Sequence, residues 1–217
     1  MQSRTKQLVN LALISAMAYV LMLVGRVPLV LFLKYDPKDV VILIGGLIYG
    51  PFSAFLVSLV VSLVEMVTVS DTAWIGFVMN VLSTCAFVCT ASFLYKKKQD
   101  LTGAVIGLVA GGVLTVIVML LWNYLVTPLY MNMPRAAVVP LLWSAFLPFN
   151  ALKVTINASA TMLIYKPIVR ALRKANLIPP STAGDTAAEK SRVGALIVSA
   201  AILITCVLYA LVANGVF

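Results

Sequence analysis

A chain of 217 residues in which 62% are hydrophobic and only 11% charged, with a mean hydropathy of +1.06, lies outside the range of water-soluble domains and reads as an all-α integral membrane protein. The formal charge of +9 would suggest nucleic acid in a soluble protein, but here the basic residues fall between apolar runs, where they orient the chain in a lipid bilayer, and no nucleic-acid role is assigned. Histidine is absent, which removes His-centred triads, H-E-x-x-H proteases and most transition-metal sites, and no G-x-x-x-x-G-K-[ST] loop is present, so any coupling to ATP has to come from a partner.

Met1 to Lys6 runs directly into an apolar segment too long for a signal-peptide core and without an Ala-x-Ala site behind it, so the first helix, Leu8 to Val24, is read as retained. It carries Ala12-x-x-x-Ala16, with Ser15 beside it, a small-residue stripe that lets another helix approach closely. Arg26 to Asp39 forms the first loop. Its apolar run Leu29 to Leu33 either dips back as a lid or extends the first helix, and Asp36-Pro37 reads as an N-cap followed by Pro at the first helical position. Asp36-x-x-Asp39 has the spacing of a carboxylate pair for Mg²⁺, but it sits among lysines and is read as a cap; no metal site is assigned. Val40 to Val67 is either one long helix or two short ones broken at Gly50-Pro51. Only the two-helix reading puts Lys96-Lys-Lys98 on the same side as Arg4 and Lys6, as the positive-inside bias requires. Glu65 lies near the outer end of the second, before a loop, Thr68 to Thr72, that contains Asp71.

The fourth helix, Trp74 to Tyr95, has aromatic anchors at both ends, Asn80 two turns in, and the three lysines closing it on the inside. Cys85, Cys89 and Cys206 lie in apolar runs without C-x-x-C spacing and read as packing residues. In the fifth helix, Thr102 to Thr127, Gly103, Gly107 and Gly111 form a ridge for close backbone contact. Trp122-Asn-Tyr124 stands towards its outer end, before Pro128 and an outer loop through Tyr130 to Arg135. The sixth helix, Ala136 to Tyr165, carries Pro140 and Pro148, the latter placed to kink it and free carbonyls towards a cavity. Lys166, Arg170, Arg173 and Lys174 mark an inner end. The chain thus divides into a membrane bundle (1–174), a polar linker (175–192, from about Asn176 to Arg192) and a further membrane helix (193–217, apolar from Val193 to Ala213), in the cell membrane with the N-terminus cytoplasmic and the C-terminus outside.

Within the sixth helix, Asn150, Lys153 and Asn157 are spaced to share one face of an otherwise apolar segment. A lone lysine near mid-membrane costs roughly 3 kcal/mol, and Lys153 is poorly placed to snorkel, so it has to face a protein cavity, a ligand or a partner charge; it is assigned to a ligand, the alternative being a helix-packing stripe with a snorkelling lysine. Asn123 and Asn150 lie in the outer halves of neighbouring helices, with Trp122, Trp143, Phe146 and Phe149 near them in sequence. Amides present a donor beside an acceptor and the ammonium supplies further donors, which suits an uncharged heteroaromatic ring in a mostly apolar pocket. Asn157 lies deeper and reads as a helix-packing residue. No G-x-S-x-G or Ser–Lys arrangement is present, and no catalytic residue is assigned.

Taken together in this order, Ala12-x-x-x-Ala16, the loop with Lys34-Tyr-Asp36, Trp122-Asn-Tyr-Leu-Val-Thr-Pro128, Leu147-Pro-Phe-Asn-Ala-Leu-Lys153 and Tyr165-Lys-Pro167 resemble the riboflavin-specific S-components of energy-coupling factor (ECF) transporters, over about Leu8 to Arg170. The resemblance implies a six-helix S-component bundle that captures riboflavin on the outer face, without a catalytic cofactor. It implies association with a membrane coupling protein and two cytoplasmic ATPases, and tilting of the whole subunit during transport. By the same resemblance, Asn123, Asn150 and Lys153 hydrogen-bond the isoalloxazine, the loop with Tyr35 and Asp36 covers the pocket, and Ala12 and Ala16 meet the coupling protein; Trp122 and Phe149, near them in sequence, are assigned as further ligand contacts. Such S-components end after the sixth helix, so the seventh is a departure. Two alternatives stay open: an S-component for another vitamin, and a stand-alone carrier with Glu65 and Lys153 as a charge relay or an intramembrane enzyme. No clear inverted repeat supports the carrier.

Overall fold

The computed structural model of the chain describes residues 4–30, 33–70, 72–174 and 189–213. The elements in order are α1 (Arg4–Gly25), the strands β1 (Val27–Val30) and β2 (Leu33–Tyr35), α2 (Lys38–Tyr49), α3 (Pro51–Thr68), α4 (Ala73–Lys97), α5 (Leu101–Met131), α6 (Arg135–Leu141), a π-helical turn (Leu142–Phe146), α7 (Leu147–Lys174) and α8 (Glu189–Ala213). Five stretches among the described residues are long and apolar enough to cross a membrane: α1, α3, α4, α5 and the broken span Arg135–Tyr165. This is a multi-pass membrane protein.

α2 is the exception that organises the rest. Its 12 residues rise about 18 Å, short of a ~30 Å hydrocarbon core. After Lys38 and Asp39 in its first turn it is apolar on every side, the signature of a helix surrounded by protein, and it packs against α1, α3, α4 and α7. Ile42 and Leu43 are fully buried in a cluster with Ala18, Val57, Val61, Phe87 and Leu108. The expected break between α2 and α3 falls where the sequence placed it: Gly50 adopts φ +95°, a conformation glycine takes without strain, and Pro51 opens α3 with its fixed φ.

The apolar run of the first loop does not extend α1. It forms an antiparallel hairpin in which Val27 pairs with Tyr35 and Pro28 with Lys34, and Leu33 buries its side chain against Val138, Phe146 and Phe149. Asp36 is not the helix cap that was expected. The residue at the N-cap of α2 is Pro37, no side chain caps the helix, and the Asp36 carboxylate is taken by cations described below. Asp71 and the linker residues 175–188 lie outside the described residues; residues 189–192, assigned to that linker, belong to α8.

α5 begins at Leu101, capped by Asp100, whose Oδ1 accepts from the Gly103 N–H at 2.6 Å. It runs through Pro128 to Met131 and stops at Asn132, in the left-handed conformation, so the loop expected from Pro128 is a final helical turn. Proline is tolerated there because only the last bonds of the helix are affected. The glycine ridge of α5 packs as expected: a Cβ on Gly107 or Gly111 would stand 2.7 Å from the Ala91 carbonyl oxygen or 2.6 Å from that of Phe87, both on α4. The sixth span breaks at the π-helical turn, where the Leu147 N–H bonds the Leu142 carbonyl five residues back, immediately before Pro148, which has no N–H to give to Ser144. α7 then continues past Tyr165 and through Pro167 to Lys174, and α8 packs along it.

Candidate functional site

One cavity opens between β2, α3, α4, α5 and α7 at the end of the bundle where the hairpin lies. Asn123 on α5 and Asn150 on α7 both line it, and Lys153 stands one turn beyond Asn150. Trp122, Phe149 and Asp36 also line this space, so six of the seven residues proposed from sequence as ligand contacts share one cavity. The seventh, Tyr35, does not line it; its hydroxyl donates instead to Asn157 Oδ1 at 2.9 Å.

Both amides are anchored by their own helices. Asn123 Nδ2 donates to the Met119 carbonyl at 2.7 Å, and its Oδ1 accepts from Thr127; Asn150 Nδ2 donates to the Phe146 carbonyl at 2.8 Å. An amide carries two N–H donors and an oxygen with two lone pairs, so each retains capacity for a ligand while its orientation is fixed. Met79 and Met119 add polarizable apolar wall, and Ser70, Thr72, Asn80 and Ser83 supply hydroxyls and an amide from α4 and the turn before it.

Lys153 lines the cavity, but the charge that offsets its burial belongs to the protein. Its Nζ lies 3.2 Å from Asp39 Oδ2 and donates to Ser83 Oγ at 3.4 Å. Asp39 also accepts from Thr84 Oγ1 at 2.7 Å and from Asn157 Nδ2 at 3.2 Å. Asn157 therefore ties α7 to α2 and, through Tyr35, to the hairpin, which is the packing role expected of it.

Beside this lies a second group that sequence reasoning did not assemble. Arg26 Nε donates to Asp36 Oδ1 at 2.7 Å and Arg26 also bonds Glu65; Lys38, fully buried, bonds Glu65 and stands 3.7 Å from Asp36. The four side chains form a closed ring of alternating charge that joins the two feet of the hairpin to each other and to α3. Burial alone would push the Asp36 carboxyl up, but Lys38, Arg26 and Lys153 outweigh it and hold it below the ordinary carboxylate range. Burial and the carboxylates of Asp39 and Asp36 push the Tyr35 hydroxyl up, so it remains a donor. With the Lys153–Asp39 pair, these ion pairs set three cations, Arg26, Lys38 and Lys153, against three carboxylates, Asp36, Asp39 and Glu65; Lys34 also lines the cavity. The signal was present in the sequence: of seven acidic residues, three fall at the same level of the bundle, and an ionisable side chain at membrane depth requires a partner.

Ala12 and Ala16 face away from the bundle, exposed on the outer side of α1, while Leu11, Ala18 and Met22 bury its inner side. Nothing within the described chain packs on that stripe. A family model for the substrate-specific component of ECF transporters matches residues 6–165. The riboflavin transporter FmnP of Bacillus subtilis is 29% identical over 188 residues, which cover 80% of this chain and 99% of that protein. The riboflavin transporter RibU of Streptococcus thermophilus is 31% identical over 183 residues, 79% of this chain and 87% of that protein. A solved structure described as the S component of a bacterial ECF transporter matches 79% of this chain and 99% of its own, with a TM-score of 0.68 and 26% identity. A matched span that takes in every cavity-lining helix and stops short of α8 places the bundle: the chain belongs to the substrate-specific components of ECF transporters.

Proposed function

We propose that this chain captures riboflavin at the membrane's outer face and hands it inward through a membrane coupling protein driven by two cytoplasmic ATPases, the N-terminus being cytoplasmic and the C-terminus outside. The observation that carries the reading is the convergence of Asn123, Asn150, Lys153, Phe149 and Trp122 on one cavity beneath the hairpin. Fixed amides match the alternating C=O and N–H edge of the flavin pyrimidine, the aromatic and methionine walls take its faces, and the hydroxyl-bearing wall suits a polyol chain. The names of two relatives, each a riboflavin transporter, support the same ligand. A charge relay between Glu65 and Lys153 has less behind it, since Glu65 is paired with Arg26 and Lys38, and Lys153 with Asp39.

The test is direct. Protein purified in detergent from flavin-containing medium is expected to carry a yellow ligand with the mass of riboflavin, and ligand-free protein to quench the fluorescence of added riboflavin stoichiometrically. Colourless protein that fails to quench riboflavin overturns the reading, and a different vitamin identified by mass spectrometry replaces it.

A further inference from the structure

Three donors converge on a carboxylate that does not itself line the cavity. Asp39, at the first turn of α2 and 1% exposed, accepts from Thr84 on α4 and from Asn157 and Lys153 on α7. Its position is set by three helices. Lys153 has the opposite character: a flexible four-carbon stem whose ammonium carries three donors. Asp39, behind the lining, and Ser83, within it, take two of these, and Lys153 lines the cavity with the third. The remaining carboxylates within reach, Asp36 and Glu65, are occupied by Arg26 and Lys38.

We infer that Asp39 is the positioning residue of the site: it tethers the Lys153 ammonium so that its remaining donor meets the bound ring, and it closes the charge balance that allows a lysine at this depth. The inference rests on the riboflavin reading. Asp39 acts only through Lys153 in binding, so removing it matters only while Lys153 is present. The pair also forms a neutral unit. Asp39→Asn alone leaves three cations against two carboxylates, whereas Asp39→Asn with Lys153→Met leaves two of each.

Riboflavin titrations by fluorescence quenching, with thermal unfolding of the ligand-free proteins, on wild type, Asp39→Asn, Lys153→Met and the double variant test this. Asp39→Asn and Lys153→Met are each expected to weaken riboflavin about tenfold or more, and the double variant to bind within about twofold of Lys153→Met. Ligand-free Asp39→Asn is expected to melt lowest, with the double variant restored towards wild type. If Asp39→Asn costs as large a factor on the Lys153→Met background as on wild type, or costs nothing on wild type, Asp39 does not position Lys153 and the inference is overturned. Should Asp39→Asn fail to fold, the comparison of the double variant with Lys153→Met decides alone, near-equality supporting the inference and a tenfold further loss overturning it. Wild-type protein that does not bind riboflavin overturns the functional reading, and this inference with it.

Discussion

Asn150 shows how one residue serves both helix and ligand. Its Nδ2 donates to the Phe146 carbonyl one turn back, at the end of the π-helical turn before α7. Asn150→Ala removes a fixed donor and acceptor from the cavity without removing charge, so it is expected to weaken riboflavin by about 1–2 kcal/mol, roughly five- to thirtyfold, with little change in the melting of the ligand-free protein. Unchanged affinity would make its role local to the helix. Asp36 behaves differently because it is ionised and paired. A carboxyl held below its unfolded value of about 3.9 contributes stability that is complete above that pH and is lost as pH falls through the lowered folded value. Ligand-free wild type is therefore expected to melt above Asp36→Asn at neutral pH, and the gap to close as pH drops below about 4. A gap that persists to pH 2 would mean that the difference is not ionic. At this scale the sequence showed the lone polar side chains, Asn123, Asn150 and Lys153, because each interrupts an apolar run. It did not show their partners: the pairing of Lys153 with Asp39 spans 114 positions of sequence, and no periodicity links α2 to α7.

Helices were legible where their ends carry local chemistry. Gly50-Pro51 and the Lys96-Lys-Lys98 cluster marked the ends of α2 and α4, because a positive φ, a missing N–H and a block of charge are properties of single residues. The hairpin was not, since a uniformly apolar five-residue run with a nearby proline is compatible with helix, strand or loop, and pairing with its neighbour decides. Pro128 misled in the other direction, because a proline within the last turn of a helix sacrifices little. The ridge on α5 gives a sharper test at this scale. Gly111→Ala puts a methyl 2.6 Å from a backbone oxygen of α4 that cannot swing aside, so the two helices must separate, at about 1–3 kcal/mol. Gly112→Ala, whose added carbon would meet the Val154 side chain at 3.4 Å, is the matched control and is expected to melt at or above wild type. Equal melting of the two variants would show that α4 and α5 are not held by the ridge.

At the scale of the whole molecule, three regions are separated in space. The cavity and the ion pairs beside it occupy one end, the exposed stripe of Ala12 and Ala16 lies on α1, and α8 rests on α7, leaving that stripe open. The family match ends at residue 165, before α8, and α8 does not cover the α1 face. A surface of alanines flanked by Leu13, Met17 and Val20 allows another helix to approach closely and, having no charge or hydrogen bond to break, to slide. If the coupling protein meets this face, bulk there should separate capture from delivery. Ala12→Trp and Ala16→Trp are expected to leave riboflavin affinity in detergent within about twofold of wild type, because neither residue lines the cavity. In cells supplied with the coupling protein and its ATPases, the same variants are expected to lose most riboflavin uptake and to co-purify with less coupling protein. Normal uptake in both variants would exclude α1 as the docking face, and a parallel loss of affinity would show that the substitutions disturb the bundle itself.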